Sequence, residues 1–297
     1  FHTDQVVTVS KDISLENNKR ERFKQKLSLN NLDYTDPYWL KKNWSLGMYQ
    51  VDELELIGKA QTPRKLKVGF NLSIDDQNMT VEKDVVYRYS RRDKGELYEP
   101  FEILPRITTK LKEKVMLFSD NKAKKVVVSV RSGANNVKGT LSLEAPKDWS
   151  VSPRFKEIAI GQKGDEQSYE FLVSPSTSAS QGKLKALVKI GNREYDKELV
   201  EINYDHIPKQ SVLLDSEAKV VRLNIQKAGN FIGYIKGAGD AVPESLTQIG
   251  YSVKMINPEE INENNLKQFD AIVLGIRAYN TIPELKYKQK FLLAYVE

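Results

Sequence analysis

Two stretches of this chain have residue types that fit a ligand site: Gly237-Ala238-Gly239-Asp240 and Gly275-Ile276-Arg277-Ala278-Tyr279-Asn280. Asp240 and Glu244 offer carboxylates, Arg277 a guanidinium, Tyr279 a hydroxyl and Asn280 an amide, the groups that hold a small polar ligand. Each stretch follows an apolar run that stops at glycine. Polar groups beyond strand ends are where open parallel sheets meet their ligands. A structural alternative stands beside this reading: Arg277 pairs with a nearby carboxylate, Asn280 caps the next helix and Tyr279 packs at a domain interface. Gly237-x-Gly239 falls short of a dinucleotide fingerprint, because position 242 is Val where a third glycine would stand. A third set is aromatic. Tyr38, Trp39 and Trp44 would suit the apolar face of a sugar ring, or would pack the core of a sandwich, the commoner fate of large rings.

Several chemistries are excluded or disfavoured by composition. The 297 residues include no cysteine, which removes disulfides, Cys-ligated zinc, iron–sulfur clusters and a thiol nucleophile. Only two histidines are present, His2 and His206, with no H-x-x-x-H or H-x-E pairing and no G-x-S-x-G elbow. No catalytic residue, metal ligand or cofactor is therefore assigned to this chain. The net charge of +6 is mild for this length. The basic clusters at Lys41-Lys42, Lys110–Lys114 and Lys122–Lys125 are dispersed among acids, a pattern of solvated surface rather than nucleic-acid binding. No apolar run approaches the roughly 18 residues of a membrane span. Asn43-Trp44-Ser45, Asn71-Leu72-Ser73 and Asn78-Met79-Thr80 fit the glycosylation sequon, which matters only in a eukaryotic secreted protein.

The elements that would position the first two stretches are short. Phe231 to Ile235 reads as a strand. A helix follows, with Asp240 as its N-cap, Pro243 in its first turn and Gly250 at its end. Tyr251 to Met255 reads as a second strand, Pro258-Glu259 opens a second helix, and Ala271 to Leu274 forms a third strand. This alternation predicts parallel pairing with right-handed crossovers. Tyr287 to Val296 reads as a further helix. Upstream the chain is β-rich. Val6–Val9, Phe23–Leu29, Leu66–Phe70 and Val85–Tyr89 have strand composition, with turns at Asn30-Asn31 and Asp75-Asp76. Val126–Val130, Gly139–Leu143, Glu170–Val173 and Leu184–Ile190 alternate at the spacing of a seven-strand-like sandwich, with Trp149 as a core plug. Leu104-Pro105-Arg106 and Asp205–Pro208 read as boundaries. The expected fold is multidomain and mainly β: a β-sandwich over 1–112, an Ig-like β-sandwich over 113–206 and a partial α/β segment over 207–297. A three-stranded parallel sheet with an open edge stands poorly alone, so the chain reads as a piece of a longer protein.

Three stretches together carry a family resemblance. They are Val86-Tyr87-Arg88-Tyr89 with Gly95-Glu96-Leu97-Tyr98-Glu99-Pro100, Gly233 to Asp240 with Val242 to Leu246, and Asp270 to Thr281. They resemble the carboxyl-terminal region of large bacterial PIG-L (LmbE-like) deacetylases, over nearly the whole chain. The resemblance implies a zinc-dependent N-deacetylase domain ahead of this region, accessory sandwiches, and a truncated α/β domain like the flavodoxin-like, class I glutamine-amidotransferase fold. It implies a secreted or periplasmic bacterial protein whose parent removes acetyl groups from an N-acetylated sugar. The family's Pro-His-Pro-Asp-Asp motif and later zinc histidine are absent here. Zinc is thus expected only in the missing catalytic domain. The expected partners are that domain and a glycan. Two other readings stand beside this one: a stand-alone carbohydrate-binding module using Tyr38, Trp39 and Trp44, and a degenerate small-molecule enzyme using Asp240, Glu244, Arg277 and Tyr279.

Overall fold

In a computed structural model, which describes residues 13, 16–26, 33–74 and 76–297, most regular structure is strand. Residues 1–33 and 34–297 form two separate units. The described part of the first has no regular structure beyond a turn at Asn17-Asn18. The strand expected over Phe23–Leu29 is not formed at Phe23–Lys26. Val6–Val9, residues 27–29 and the Asn30-Asn31 turn lie outside the described residues.

The second unit begins with two hairpins. β1 (Lys67–Ile74) pairs antiparallel with β2 (Gln77–Asp84), and β3 (Val86–Arg91) pairs with β4 (Gly95–Pro100). Period-2 alternation puts Val68, Phe70 and Leu72 on one face of the first hairpin, opposite Lys83, Val81 and Met79. Yet Val68, Phe70, Leu72 and Met79 are all exposed. A sandwich over 1–112 is therefore not what the described residues there form. The alternation is present, but no second sheet covers it, and each hairpin stays a separate two-stranded sheet.

The sandwich lies further on. Its strands are β5 (Ile107–Leu111), β6 (Val115–Phe118), β7 (Lys124–Ser132), β8 (Val137–Glu144), β9 (Ser150–Ser152), β10 (Phe155–Ile160), β11 (Glu166–Ser174), β12 (Ser180–Ile190) and β13 (Arg193–Tyr195). β14 (Lys197–Ile202) and β15 (Gln210–Asp215) make a hairpin beside it, and β16 (Glu217–Arg222) completes it. One sheet runs β5-β7-β11-β9. The other runs β10-β8-β12-β16-β6, with β13 also on β12. Val126, Val128, Val130, Phe171 and Val173 from the first sheet meet Leu141, Ile158, Leu184, Ala186, Val188 and Val220 from the second in one buried core. Leu184, Ala186 and Val188 point inward, as their alternation predicts, while the intervening Lys185 and Leu187 are half-buried and the flanking Lys183 and Lys189 are exposed. Trp149 is buried edge-on to Phe118, ring centres 5.0 Å apart, and its indole N–H donates to Ser180 Oγ at 3.0 Å.

The sandwich spans Ile107 to Arg222, so both expected boundaries move outward. β5, before 113, pairs with β7, and β16, after 206, pairs with β12 and parallel with β6. Asp205–Pro208 is not a linker. Ile202 faces Gln210 in the β14–β15 register, which makes 203–209 a hairpin loop. The passage into the α/β segment is 223–230.

That segment contains β17 (Phe231–Ile235), α1 (Val242–Gln248), β18 (Ser252–Met255), a 3₁₀ turn (Pro258–Glu260), α2 (Glu263–Leu266), β19 (Ala271–Leu274), α3 (Ala278–Thr281) and α4 (Leu285–Val296). β17 lies between β18 and β19 and pairs parallel with both. Ile235, Ile256, Ile261, Leu266, Phe269, Leu285 and Leu292 form its core. The Asp270 carboxylate ties the entry to β17, accepting from the backbone N–H groups of Asn230 at 2.7 Å and Phe231 at 2.8 Å. α1 is fastened to the sandwich by two groups. The Gln248 side-chain carbonyl accepts from Leu117 N at 2.7 Å. The half-buried Lys124 ammonium donates to the carbonyls of Leu117 at 2.6 Å and Gln248 at 2.7 Å. Burial holds the Lys124 pKa below its ordinary value.

Candidate functional site

β17 sends its connection through α1 to β18 on one side, and the chain then returns through α2 to β19 on the other. The carboxyl ends of β17 and β19 therefore flank a point where strand order reverses, the usual ligand crevice of open parallel sheets. Both candidate loops start there, and the structure brings them into direct contact. Ala238 N donates to Ile276 O at 2.7 Å, and Gly275 N to Ile235 O at 2.8 Å. The crossing is tight enough to need glycine. A Cβ on Gly237 would lie 2.8 Å from the carbonyl carbons of Gly275 and Ile276, and one on Gly275 would lie 2.9 Å from the Tyr234 hydroxyl oxygen.

Asp240 locks this crossing. Its Oδ1 accepts from the Tyr234 hydroxyl at 2.6 Å and from Val242 N at 3.1 Å, and its Oδ2 accepts from Ile276 N at 3.3 Å. It is not the N-cap of α1, as the sequence suggests. Ala241 holds that position, and no side chain caps the helix. The hydrogen bond from Tyr234, with those from Val242 and Ile276, holds the Asp240 carboxyl below the usual carboxylate range. Burial, then the bond to Asp240 and its charge, pushes the Tyr234 phenol up to about 12. Tyr234 is the residue that the sequence reading missed. Its signal was a tyrosine inside an apolar strand, since a buried phenol needs an acceptor and Asp240 stands six residues on.

The remaining candidates are not bonded to one another. Glu244, Arg277, Tyr279 and Asn280 are exposed, and no hydrogen bond or ion pair joins their side chains to one another among the described residues. Arg277 adopts the left-handed conformation, φ 56° and ψ 28°, at the N-cap of α3. The structural roles considered for this trio are not seen either. Arg277 makes no ion pair among the described residues, Glu284 rather than Asn280 precedes α4, and Tyr279 is 40% exposed. Among the described residues no group of three or more His, Asp or Glu side chains could hold a metal ion, and no helix is long and apolar enough to cross a membrane.

The aromatic candidates are not core residues. Tyr38 and Trp39 sit in a turn ahead of the hairpins, closed by Leu40 N donating to Pro37 O at 2.9 Å. Tyr38 and Trp39 are half-buried and meet edge-to-face, ring centres 4.9 Å apart. The Tyr38 hydroxyl donates to Lys59 O at 3.1 Å, and its backbone N–H to Thr62 Oγ1 at 2.9 Å. Trp44 stands apart and is 51% exposed. Leu46, Met48 and Tyr49 beyond it are exposed as well.

No protein-family model matches this chain, and no curated protein matches it. Three solved structures show a distant likeness. Escherichia coli alpha-2-macroglobulin matches at 10% identity and TM-score 0.27, over 51% of this chain and 9% of its own. WR4, an MSP family member of Caenorhabditis elegans, matches at 7% identity and TM-score 0.22, over 40% of this chain and 100% of its own. A family 123 glycoside hydrolase from Clostridium perfringens matches at 7% identity and TM-score 0.23, over 55% of this chain and 34% of its own. At these scores none of them carries a functional argument.

Proposed function

We propose that this chain is an accessory, non-catalytic region of a PIG-L-type deacetylase, exported to the periplasm or beyond. Its amino-terminal catalytic domain would carry the zinc and remove acetyl groups from an N-acetylated sugar. The family assignment rests on the three sequence stretches quoted above. The observation that supports a non-catalytic part is the Asp240 lock. The carboxylate best placed in the strand-end crevice bonds to Tyr234, Val242 and Ile276, and no hydrogen bond or ion pair joins the other polar candidates to one another among the described residues. A degenerate amidotransferase-like enzyme would need those groups free and convergent.

Two measurements test this reading. The isolated chain, supplied with zinc, should release no acetate from N-acetylglucosamine; zinc-dependent release would overturn it. An antibody raised against the chain should detect an endogenous protein well above 34.0 kDa. A band at that mass would sink the accessory assignment.

The exposure of Trp44 favours a second reading, in which the segment ahead of the hairpins recognises glycan through Tyr38, Trp39 and Trp44. Alanine at Trp44 should then abolish glycan binding without moving the melting temperature. Unfolding by W44A would make that ring structural instead.

A further inference from the structure

A groove of about 500 Å³ runs between the turn that carries the aromatic candidates and the β14–β15 hairpin, within the usual range of ligand sites. Its polar lining is Lys41, Lys42, Asn43 and Gln50 from the turn region, and Lys197 and Asp215 from the hairpin, with leucines completing it. The turn is pinned in place. Asp36 Oδ1 accepts from Leu213 N on β15 at 2.8 Å. Burial raises the Asp36 pKa, and the positive charges of Lys197, Lys65 and Lys41 are near enough to oppose that shift.

The lining carries three lysines against one aspartate. Lys42 pairs with Asp52 and Lys197 with Asp215, but every one of these side chains is at least a third exposed. Ion pairs of that kind are weak and exchange for a competing anion at little cost. Lys41 makes no ion pair among the described residues. Asn43 and Gln50 add amides that both donate and accept, the complement of sugar hydroxyls. Trp39 and Trp44 bracket the segment Leu40–Asn43 in sequence, and neither is part of the groove lining. Phosphate alone would use fewer amides. Duplex nucleic acid would want a longer basic stripe than one groove supplies.

We propose that this groove binds an acidic saccharide. Lys41, Lys42 and Lys197 would hold its carboxylate, and Asn43 and Gln50 its hydroxyls. The inference rests on the glycan-recognition reading above and narrows it to uronate-type sugars.

The test is calorimetric titration of the intact chain with trigalacturonate, its methyl ester, neutral chitotriose and a short DNA duplex, each at low and moderate salt. Trigalacturonate should bind, and weaken as salt rises. The ester, which keeps the shape and loses the charge, should bind about tenfold more weakly or worse, as expected on losing a charge-assisted hydrogen bond. K41Q/K42Q, whose melting temperature reports on folding, should lose a similar factor for trigalacturonate alone. Equal binding of trigalacturonate, ester and chitotriose would overturn the acidic specificity and leave glycan recognition standing. A folded K41Q/K42Q that binds like wild type would overturn the lysine assignment. Binding of the duplex alone would overturn the saccharide, and binding of no sugar would sink the glycan reading with it. The ester comparison uses only wild-type protein, so it decides the matter even if the double variant fails to fold.

Discussion

Gly237→Ala should open the strand-end crossing. The added methyl would sit 2.8 Å from two backbone carbonyl carbons, where about 3.5–4.0 Å is the optimal carbon–carbon separation. Neither partner is a flexible side chain, so one loop must move by most of an ångström. That displacement breaks the 2.7 Å bond from Ala238 N to Ile276 O, a loss of about 1 kcal/mol. Overpacking adds about 1–3 kcal/mol. The expected total of about 2–4 kcal/mol corresponds to exchange of the local amides roughly 30- to 1,000-fold faster, if they exchange through local opening. Hydrogen exchange read by mass spectrometry measures this directly, on peptides covering 231–240 and 269–280. Peptides from β7 and β12 serve as the internal reference and should not change. Gly161→Ala, where an added methyl meets nothing within 4 Å, should alter stability by less than about 0.5 kcal/mol. Unchanged exchange in both α/β peptides of G237A would refute the tight crossing. Equal acceleration in the sandwich would refute its confinement to the α/β segment.

Other perturbations follow from features of the sandwich and the segment it carries. Trp149→Ala empties a core position and should lower the urea-unfolding free energy by about 3–5 kcal/mol; a loss below 1 kcal/mol would show that the plug is not packed as described. Lys124 has a folded-state pKa below its unfolded value, so the unfolded chain binds more protons at this site in the window between them. Stability attributable to Lys124 should therefore rise with pH across that window, up to the ordinary lysine pKa of 10.5. The wild-type minus K124M difference, followed by urea titration over alkaline pH, should climb, and a flat difference would refute burial as the cause. The Asp270 carboxyl is held below its ordinary value of 3.8 by the N–H groups of Asn230 and Phe231. Its contribution is present above that value and is lost as pH falls through the lowered folded-state pKa. D270N should flatten that part of the acid limb, and an unchanged limb would place acid sensitivity elsewhere.

Local chemistry was legible where one residue type permits few roles. Alternation in Leu184–Val188 placed the inward side chains, and Ala271–Leu274 stopped at Gly275 as an apolar run stops at a turn. The parallel pairing of β17 with β18 and β19 followed from strand–helix–strand spacing. What failed was information that resides in distant partners. Val68, Phe70 and Leu72 alternate like sandwich residues, but alternation cannot say whether a second sheet arrives. Asp205–Pro208 has the composition of a linker and of a hairpin loop alike, and only the pairing of β14 with β15 separates the two. Asp240 carries every local mark of a helix cap. Its real partners, Tyr234 and Ile276, lie on an adjoining strand and on a loop 36 residues away.

The parallel pairing of β6 with β16 bears on how the chain is made. Val115 to Phe118 pair with Lys219 to Arg222, so one sheet of the sandwich closes with its earliest strand against its last. During synthesis β6 leaves the ribosome with its partner still about a hundred residues away, and it must wait with that edge open. Domains fold as units while the chain emerges, and non-local pairing is the slow step of β folds. The α/β segment inherits this order. Its α1 is fastened at Leu117 and Lys124, beside the strand that waits, so its docking site is finished only a few residues before β17 itself begins to appear. Slow codons or a translational pause would act most strongly on 223–230, between completion of the sandwich and the arrival of what it carries.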